Sequence, residues 1–319
     1  MATQIGAGAE VLASDAAIHR FMELQSQVLD HYGVRAASRF VALNRPPMRA
    51  HVLEAGAGEP LIILHGGDGE AVNWAPLMAP LQKAAHIYAV DRPGFGLSDA
   101  FDYRSVDLRS HAADFIESLL DALGLQSATL VGGSMGGFFA LAAAIALPRR
   151  VRRLVLVGYP VGASREIAEG IRILGGTPGL AEQFMQGRDT LEAQHSQYRD
   201  MFNVDLAALP DVYFEARIAG LRLPSEQGTW ATLLQRLADL DGVRPDIYLG
   251  DDLRHIEAPT LILWGENDLS GADLGRAIAS DIPAARFQYL PGVGHLPFLE
   301  APWQAAELIS TFVNNPLSA

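Results

Sequence analysis

The 319-residue chain contains no cysteine. That absence excludes disulfides, a thiolate nucleophile and any zinc–thiolate centre. Cationic side chains are also scarce: 24 Lys and Arg stand against 37 Asp and Glu, for a formal net charge of −13. Nucleic-acid binding needs a basic footprint, and anionic membranes attract basic segments, so neither partner is expected. No run reaches the roughly 18 apolar residues needed to span a bilayer; the nearest, Phe138 to Leu147, stops at Pro148. Met1 to Arg20 show no basic start and no continuous apolar stretch, so no secretory signal is read and a cytoplasmic location is expected. The patterns GxxxxGK(S/T) and HExxH are missing too. Gly94-Phe95-Gly96 begins like a dinucleotide fingerprint, but Asp99 stands where the third glycine belongs. No metal and no organic cofactor is expected.

What is present reads as an ordered α/β chain. Hydrophobic content of 49% with 19% charge is ordinary for a folded domain of this size. Residues 14–32 place Ile18, Phe21, Met22, Leu24, Val28 and Leu29 on a helical period. Short apolar runs at 40–43, 50–53, 61–64, 87–90, 128–131 and 151–157 predict strands, and 105–123 predicts an amphipathic helix stopped by Gly124. Strands alternating with helices imply a mostly parallel central sheet flanked by helices. The alternation breaks from about Pro160 to Arg254, where the pattern is helical and irregular, and resumes at Thr260. Residues 1–36 therefore read as a helical extension, 37–159 and 255–319 as the core, and 160–254 as a helical lid inserted between two strands.

The most specific feature is Gly132-Gly133-Ser134-Met135-Gly136, between an apolar strand and a helix-compatible stretch. A GxSxG there forces a sharp turn that lifts the serine hydroxyl out of the backbone. A serine hydroxyl is a weak nucleophile until a base takes its proton, and that base needs an acid to orient it. Asp268, just past the strand-like Thr260-Leu261-Ile262-Leu263-Trp264, and His295, in Gly292-Val293-Gly294-His295, supply both. Glu266 is a second possible acid but sits closer to the strand. Sites in open parallel sheets lie beyond the carboxyl ends of the strands, where all three residues are predicted. The run Leu61-Ile62-Ile63-Leu64 ends in His65-Gly66-Gly67-Asp68-Gly69. Backbone N–H groups of Met135 and Gly67 would form the oxyanion hole; one such donor is typically worth about 2.7–4 kcal/mol in the transition state.

These pieces, with Asp91-Arg92-Pro93-Gly94-Phe95-Gly96-Leu97-Ser98, resemble the α/β-hydrolase fold, in particular its lid-bearing esterase, peroxidase-like and C–C hydrolase members. The resemblance spans roughly residues 48 to 314 and rests on five motifs in the right order. It implies an α/β-hydrolase core and a Ser134, His295, Asp268 triad that cleaves a small carboxylic ester through an acyl-enzyme. A C–C bond hydrolase of vinylogous diketones is the alternative, favoured by Ser134-Met135-Gly136-Gly137 but lacking that group's tryptophan after the histidine, where Leu296 stands. A proline-iminopeptidase-like aminopeptidase matches at His65-Gly66-Gly67 and Gly69, with Asp68 in place of its proline. A ligand-binding receptor on the same fold is the non-enzymatic alternative. Dehalogenases and epoxide hydrolases place aspartate where Ser134 stands.

Three further residues are substrate-binding candidates. Asp68 would repel an anion or attract an amine beside the oxyanion loop, or accept a loop hydrogen bond. Trp74 lies downstream of that loop as a pocket wall or a packing anchor. His195 falls in the predicted lid. Asp91 and Arg92 are expected to hold a loop, and His65 to brace the oxyanion loop. Nothing in the sequence reads on oligomeric state.

Overall fold

The computed structural model of the protein describes residues 2–67 and 69–314. Its centre is an eight-stranded sheet in the order β1-β2-β4-β3-β5-β6-β9-β10. Strands β1 (Ala36–Asn44) and β2 (Pro47–Gly56) form an antiparallel hairpin, and β2 runs antiparallel to β4 (His86–Val90). From β4 onward, through β3 (Pro60–Leu64), β5 (Ala128–Gly132), β6 (Val151–Val157), β9 (Thr260–Gly265) and β10 (Ala285–Leu290), every pairing is parallel.

Side chains alternate across a strand, so a sheet covered on both faces needs apolar residues at every position. The run 61–64 shows this. Ile62 and Leu64 join one core with Leu130, Leu154, Leu156 and Ile262, while Leu61 and Ile63 join the other with Val131, Val155 and Leu263. The first core is closed by α3 (Leu108–Ala122) and α4 (Met135–Ala146). The second is closed by α1 (Ala2–Tyr32), α2 (Ala75–Leu81) and α12 (Pro302–Asn314).

Helix α1 is longer than the 14–32 segment read from the sequence, because its N-terminal part lacks the apolar spacing that marks the buried stripe. The stripe itself holds: Phe21, Leu24, Val28 and Leu29 are buried. Gly33, at φ +67°, ends the helix, with the Val34 N–H reaching back to the Leu29 carbonyl at 2.8 Å. Helix α3 starts three residues later than expected, where the Asp107 carboxylate accepts from the Ser110 N–H at 2.8 Å.

Between β6 and β9 the chain leaves the sheet and builds α5 (Glu169–Gly176), α6 (Leu180–Gln186), α7 (Leu191–Ser196), α8 (Asp211–Gly220) and α9 (Thr229–Leu237). A small hairpin, β7 (Ala238–Asp239) and β8 (Gly242–Val243), closes this insert. The short helices α10 (Ala272–Asp281) and α11 (Pro297–Glu300) follow β9 and β10. Among the described residues, no helix is long and apolar enough to cross a membrane.

Candidate active site

The loops after β3, β4, β5, β9 and β10 converge at the carboxyl edge of the sheet, the position where parallel sheets hold ligands. At the end of β5 the chain turns at once into α4, and Ser134 takes φ 51° and ψ −117°. A non-glycine residue there is strained, which the surrounding packing must over-determine. Glycine is required on either side. A Cβ on Gly132 would lie 2.4 Å from the Gly136 carbonyl oxygen, and one on Gly136 would lie 2.0 Å from the Leu64 carbonyl oxygen.

His295 Nδ1 and Asp268 Oδ2 are hydrogen-bonded at 2.8 Å, and the other Asp268 oxygen accepts from the Ser270 N–H at 2.8 Å. Burial opposes the charged form of each. The attraction between them outweighs it, pushing His295 above its ordinary value and holding Asp268 below the usual carboxylate range. Ser134, His295 and Asp268 line one pocket. Glu266, the other acid on the β9 loop, instead accepts from the Gly292 N–H at 2.8 Å and secures the turn before His295.

The loop after β3 is braced from below. His65 spends both ring nitrogens: Nδ1–H donates to the Gly66 carbonyl at 2.9 Å and Nε2 accepts from the Arg92 N–H at 2.9 Å. Burial and the neighbouring Arg92 charge hold its pKa down to about 3, so it is neutral. Arg92 donates to the carbonyls of His65 (3.0 Å), Gly66 (2.9 Å) and Gly67 (2.7 Å). In a trans peptide the C=O and the following N–H point in opposite directions. With the Gly66 carbonyl turned down to Arg92, the Gly67 N–H is turned away from it, and Gly67 lines the pocket. Asp91 is taken up by His51 (2.7 Å) and by the N–H groups of Ala71 (2.7 Å) and Leu97 (2.9 Å).

Of the three substrate-binding candidates, Trp74 lines the pocket and is also a packing anchor, 1% exposed and stacked on Phe298 at 4.2 Å between ring centres. His195 is a correction to the sequence reading. It sits on α7 with its ring against Phe214 at 4.5 Å and is not among the pocket-lining residues, because α7 turns this position toward α8. Asp68 lies outside the described residues.

Several neighbours of the site carry no signal in the sequence. Glu300 accepts from the N–H groups of Gly294 (2.9 Å) and Leu296 (3.0 Å), on either side of His295. Phe202, from the insert, stacks on the His295 ring at 5.5 Å and 24°. Glu70, in the loop after β3, pairs with Arg217 of α8 at 2.8 Å, both fully buried. Glu226 faces the same pair and accepts from the Gly96 N–H at 3.1 Å. Burial pushes the Glu70 carboxyl up to about 7, and burial with the facing carboxylate pushes Glu226 well above its ordinary value. These residues join segments 70, 96, 217 and 226, and no local pattern announces contacts across such separations.

Comparison with known proteins agrees with this geometry. Residues 59–302 match the family model described as the alpha/beta hydrolase fold. The chain is 30% identical over 292 residues to a 2-hydroxy-6-oxononadienedioate/2-hydroxy-6-oxononatrienedioate hydrolase of Pseudomonas putida, covering 87% of this chain and 95% of that protein. It is 30% identical over 285 residues to a 2-hydroxy-6-oxo-6-phenylhexa-2,4-dienoate hydrolase of Burkholderia cepacia, covering 85% and 92% respectively. Among solved structures, a carboxylesterase of Bacillus subtilis superposes with a TM-score of 0.71 at 20% identity, over 95% of this chain and all of that one. With the fold, the nucleophile turn and the sequence match in agreement, the chain belongs to the α/β-hydrolase-fold family, whose named relatives here are hydrolases.

Proposed function

We propose that this protein hydrolyses a carbon–carbon bond next to a ketone in a small vinylogous diketone, with Ser134 as nucleophile, His295 as base and Asp268 as its partner. The observation that carries the hydrolytic reading is the convergence of a strained Ser134 and the hydrogen-bonded His295–Asp268 pair in one pocket. The choice of a C–C bond rests on the names of the relatives at 30% identity, which cover most of both chains.

In this reading His295 takes the Ser134 proton as the hydroxyl oxygen attacks the ketone carbon. Asp268 fixes the tautomer and stabilises the imidazolium. The N–H groups of Met135 and Gly67 receive the oxyanion. The C–C bond then breaks, its electron pair leaving as an enolate that takes the proton back from His295. Water, activated by His295, attacks the acyl-enzyme, and the Ser134 oxygen leaves with the returned proton. The insert at 160–254 acts as a lid that excludes bulk water. No nucleic acid or membrane partner enters this reading.

Carboxylic ester hydrolysis is the second reading. It uses the same steps with an alcohol as leaving group, and the strongly apolar pocket wall built by the insert favours it. The discriminating experiment offers the purified protein 2-hydroxy-6-oxo-6-phenylhexa-2,4-dienoate and p-nitrophenyl butyrate side by side. Loss of the dienoate chromophore, abolished in Ser134→Ala, supports the C–C reading. Turnover of the ester alone selects esterase. Binding of either ligand without turnover would point to a receptor on this fold.

A further inference from the structure

A second serine, outside the pocket, is backed by a histidine and an aspartate. Ser38 lies on β1, with three strands of the sheet between it and β5. Its Oγ is 2.8 Å from His51 Nε2, and His51 Nδ1 is 2.7 Å from Asp91 Oδ2. His51 and Asp91 are fully buried, whereas Ser38 is exposed. The Asp91 oxygens also accept from the N–H groups of Ala71 and Leu97. Burial opposes the charge on Asp91, but His51 and the Ala71 N–H hold it below the usual carboxylate range. An ionised carboxylate only accepts, so His51 Nδ1 carries a hydrogen, and the neutral ring offers a bare Nε2 to the Ser38 O–H.

The backbone adds a donor at the same place. The His51 N–H donates to Ser98 Oγ at 2.9 Å and the His51 carbonyl accepts from the Asp91 N–H at 3.1 Å, so both groups turn away from β1. Antiparallel partners alternate between hydrogen-bonded and non-hydrogen-bonded pairs. The pair Phe40–His51 is therefore of the second kind, and so is Ser38–Leu53, two residues along. Because β1 is the edge strand, the Ser38 N–H points out past the sheet, next to its own Oγ. An oxygen developing charge on a carbon attached to Oγ meets that donor. Phe40 lies on the same face as Ser38. Its ring is 5.4 Å from the His51 ring, carries the Arg49 guanidinium at 5.3 Å and is 47% exposed, which leaves room for a second aromatic ring.

We infer that Ser38 is a second nucleophile of this protein, a site that takes an acyl group from activated aryl esters, with His51 as base, Asp91 as its partner and Phe40 as the platform for the aryl ring. His51 Nε2 takes the proton as Ser38 Oγ bonds to the acyl carbon. The bond from that carbon to the aryl oxygen breaks, and the phenol leaves with the proton from His51. The acyl group then covers the way to Nε2. His51 is buried behind Ser38, so it cannot activate water, and the adduct accumulates instead of turning over. The inference goes beyond the proposed reaction and does not depend on Ser134.

The test exposes Ser134→Ala protein to p-nitrophenyl acetate and maps the acetylated residues by mass spectrometry. A stoichiometric burst of nitrophenol is expected, with the acetyl group on Ser38. Ser280 is the internal control, an exposed serine whose hydroxyl donates only to the Ala277 carbonyl, at 2.7 Å. Acetylation of Ser38 is expected to be at least about 100-fold faster than that of Ser280, the low end of what a positioned base supplies. Equal rates, or no adduct on Ser38, overturn the inference. Should Ser134→Ala not fold, the same mapping on wild-type protein reads Ser38 and Ser134 separately. His51→Gln cannot take the proton and is expected to bring Ser38 down to the rate of Ser280; a retained rate overturns the inference. Should His51→Gln not fold, Phe40→Ala, at an exposed position, decides. It is expected to slow acetylation of Ser38 by the nitrophenyl ester about tenfold and by acetic anhydride, which has no aryl ring, less than about twofold. The same change with both reagents overturns the inference. Failure of the proposed C–C cleavage would leave these results untouched, since they are read without Ser134.

Discussion

The guanidinium of Arg92 holds the Gly66 carbonyl at 2.9 Å, and that bond sets the direction of the Gly67 N–H. The same side chain also gathers the carbonyls of His65 and Gly67, so three acceptors of the loop after β3 are tied to one planar donor. In the proposed reaction this bond fixes the Gly67 amide for the oxyanion before any ligand arrives, which is what transition-state stabilisation requires.

Arg92→Lys tests this. Lysine keeps the charge but lacks the planar fork, so it cannot serve three carbonyls at once. The expected result is a fall in kcat of about 10- to 100-fold with KM within a few-fold, since the misdirected N–H matters chiefly in the transition state. Steady-state kinetics on folded protein check it. An unchanged kcat would show that the loop keeps its shape without the arginine.

The pH profile follows from His295. Burial opposes its charged form, but the Asp268 carboxylate outweighs burial and raises the pKa above 6.5. A base must be neutral to accept the serine proton. The acid limb of kcat/KM is therefore expected to have its midpoint above 6.5, and Asp268→Asn should move that midpoint down. Stability has the opposite sign. A histidine whose folded pKa is raised stabilises the fold fully below its unfolded value and loses that contribution as pH rises through the folded value. The His295 contribution to stability is thus largest where the base is protonated and inactive. Denaturant melts and pH–rate curves on the same samples measure both, and a midpoint at or below 6.5 would contradict the pairing seen here.

Ser134 and His295 should act as one unit. Each alanine substitution alone is expected to lower kcat by several orders of magnitude, and the double variant by little more, because removing either partner already abolishes the proton transfer. Additive losses in the four-protein cycle would show two independent contributions.

Much of this site was legible in the chain, and the limits of that reading are physical. The turn at Ser134 is local: a strand, two flanking glycines and a helix within residues 128–146 leave few conformations. Asp268 and His295 could be read because each follows a buried strand, and parallel strands deliver their next loop to the same edge. The brace Arg92–Gly66 could be placed only as a loop contact, since its partners are carbonyls, which every residue has. The group of Glu70, Asn73, Arg217 and Glu226 was not legible at all. It forms only when the insert, with Arg217 and Glu226, packs on the loop that carries Glu70 and Asn73, and such polar residues look solvated until then. His195 was misplaced for a related reason, since insertion above a site does not say which face of a short helix looks down.

Glu300 offers the sharpest check on how His295 is held. Its carboxylate accepts from the N–H groups on both sides of the histidine, at 2.9 Å from Gly294 and 3.0 Å from Leu296. Burial raises the Glu300 pKa, yet both backbone donors favour its charged form, and that charge helps to raise the His295 pKa. Glu300→Gln keeps one acceptor oxygen, removes the charge and places an N–H2 where an N–H now donates. The expected outcome is a kcat lowered about tenfold from the loosened loop, with the acid limb shifted to lower pH. A residue that merely filled space would lower thermal stability and leave the limb where it is. Glu300→Asp, shorter by one carbon but still charged, should restore the position of the limb more fully than the rate, because charge acts over a longer range than a hydrogen bond.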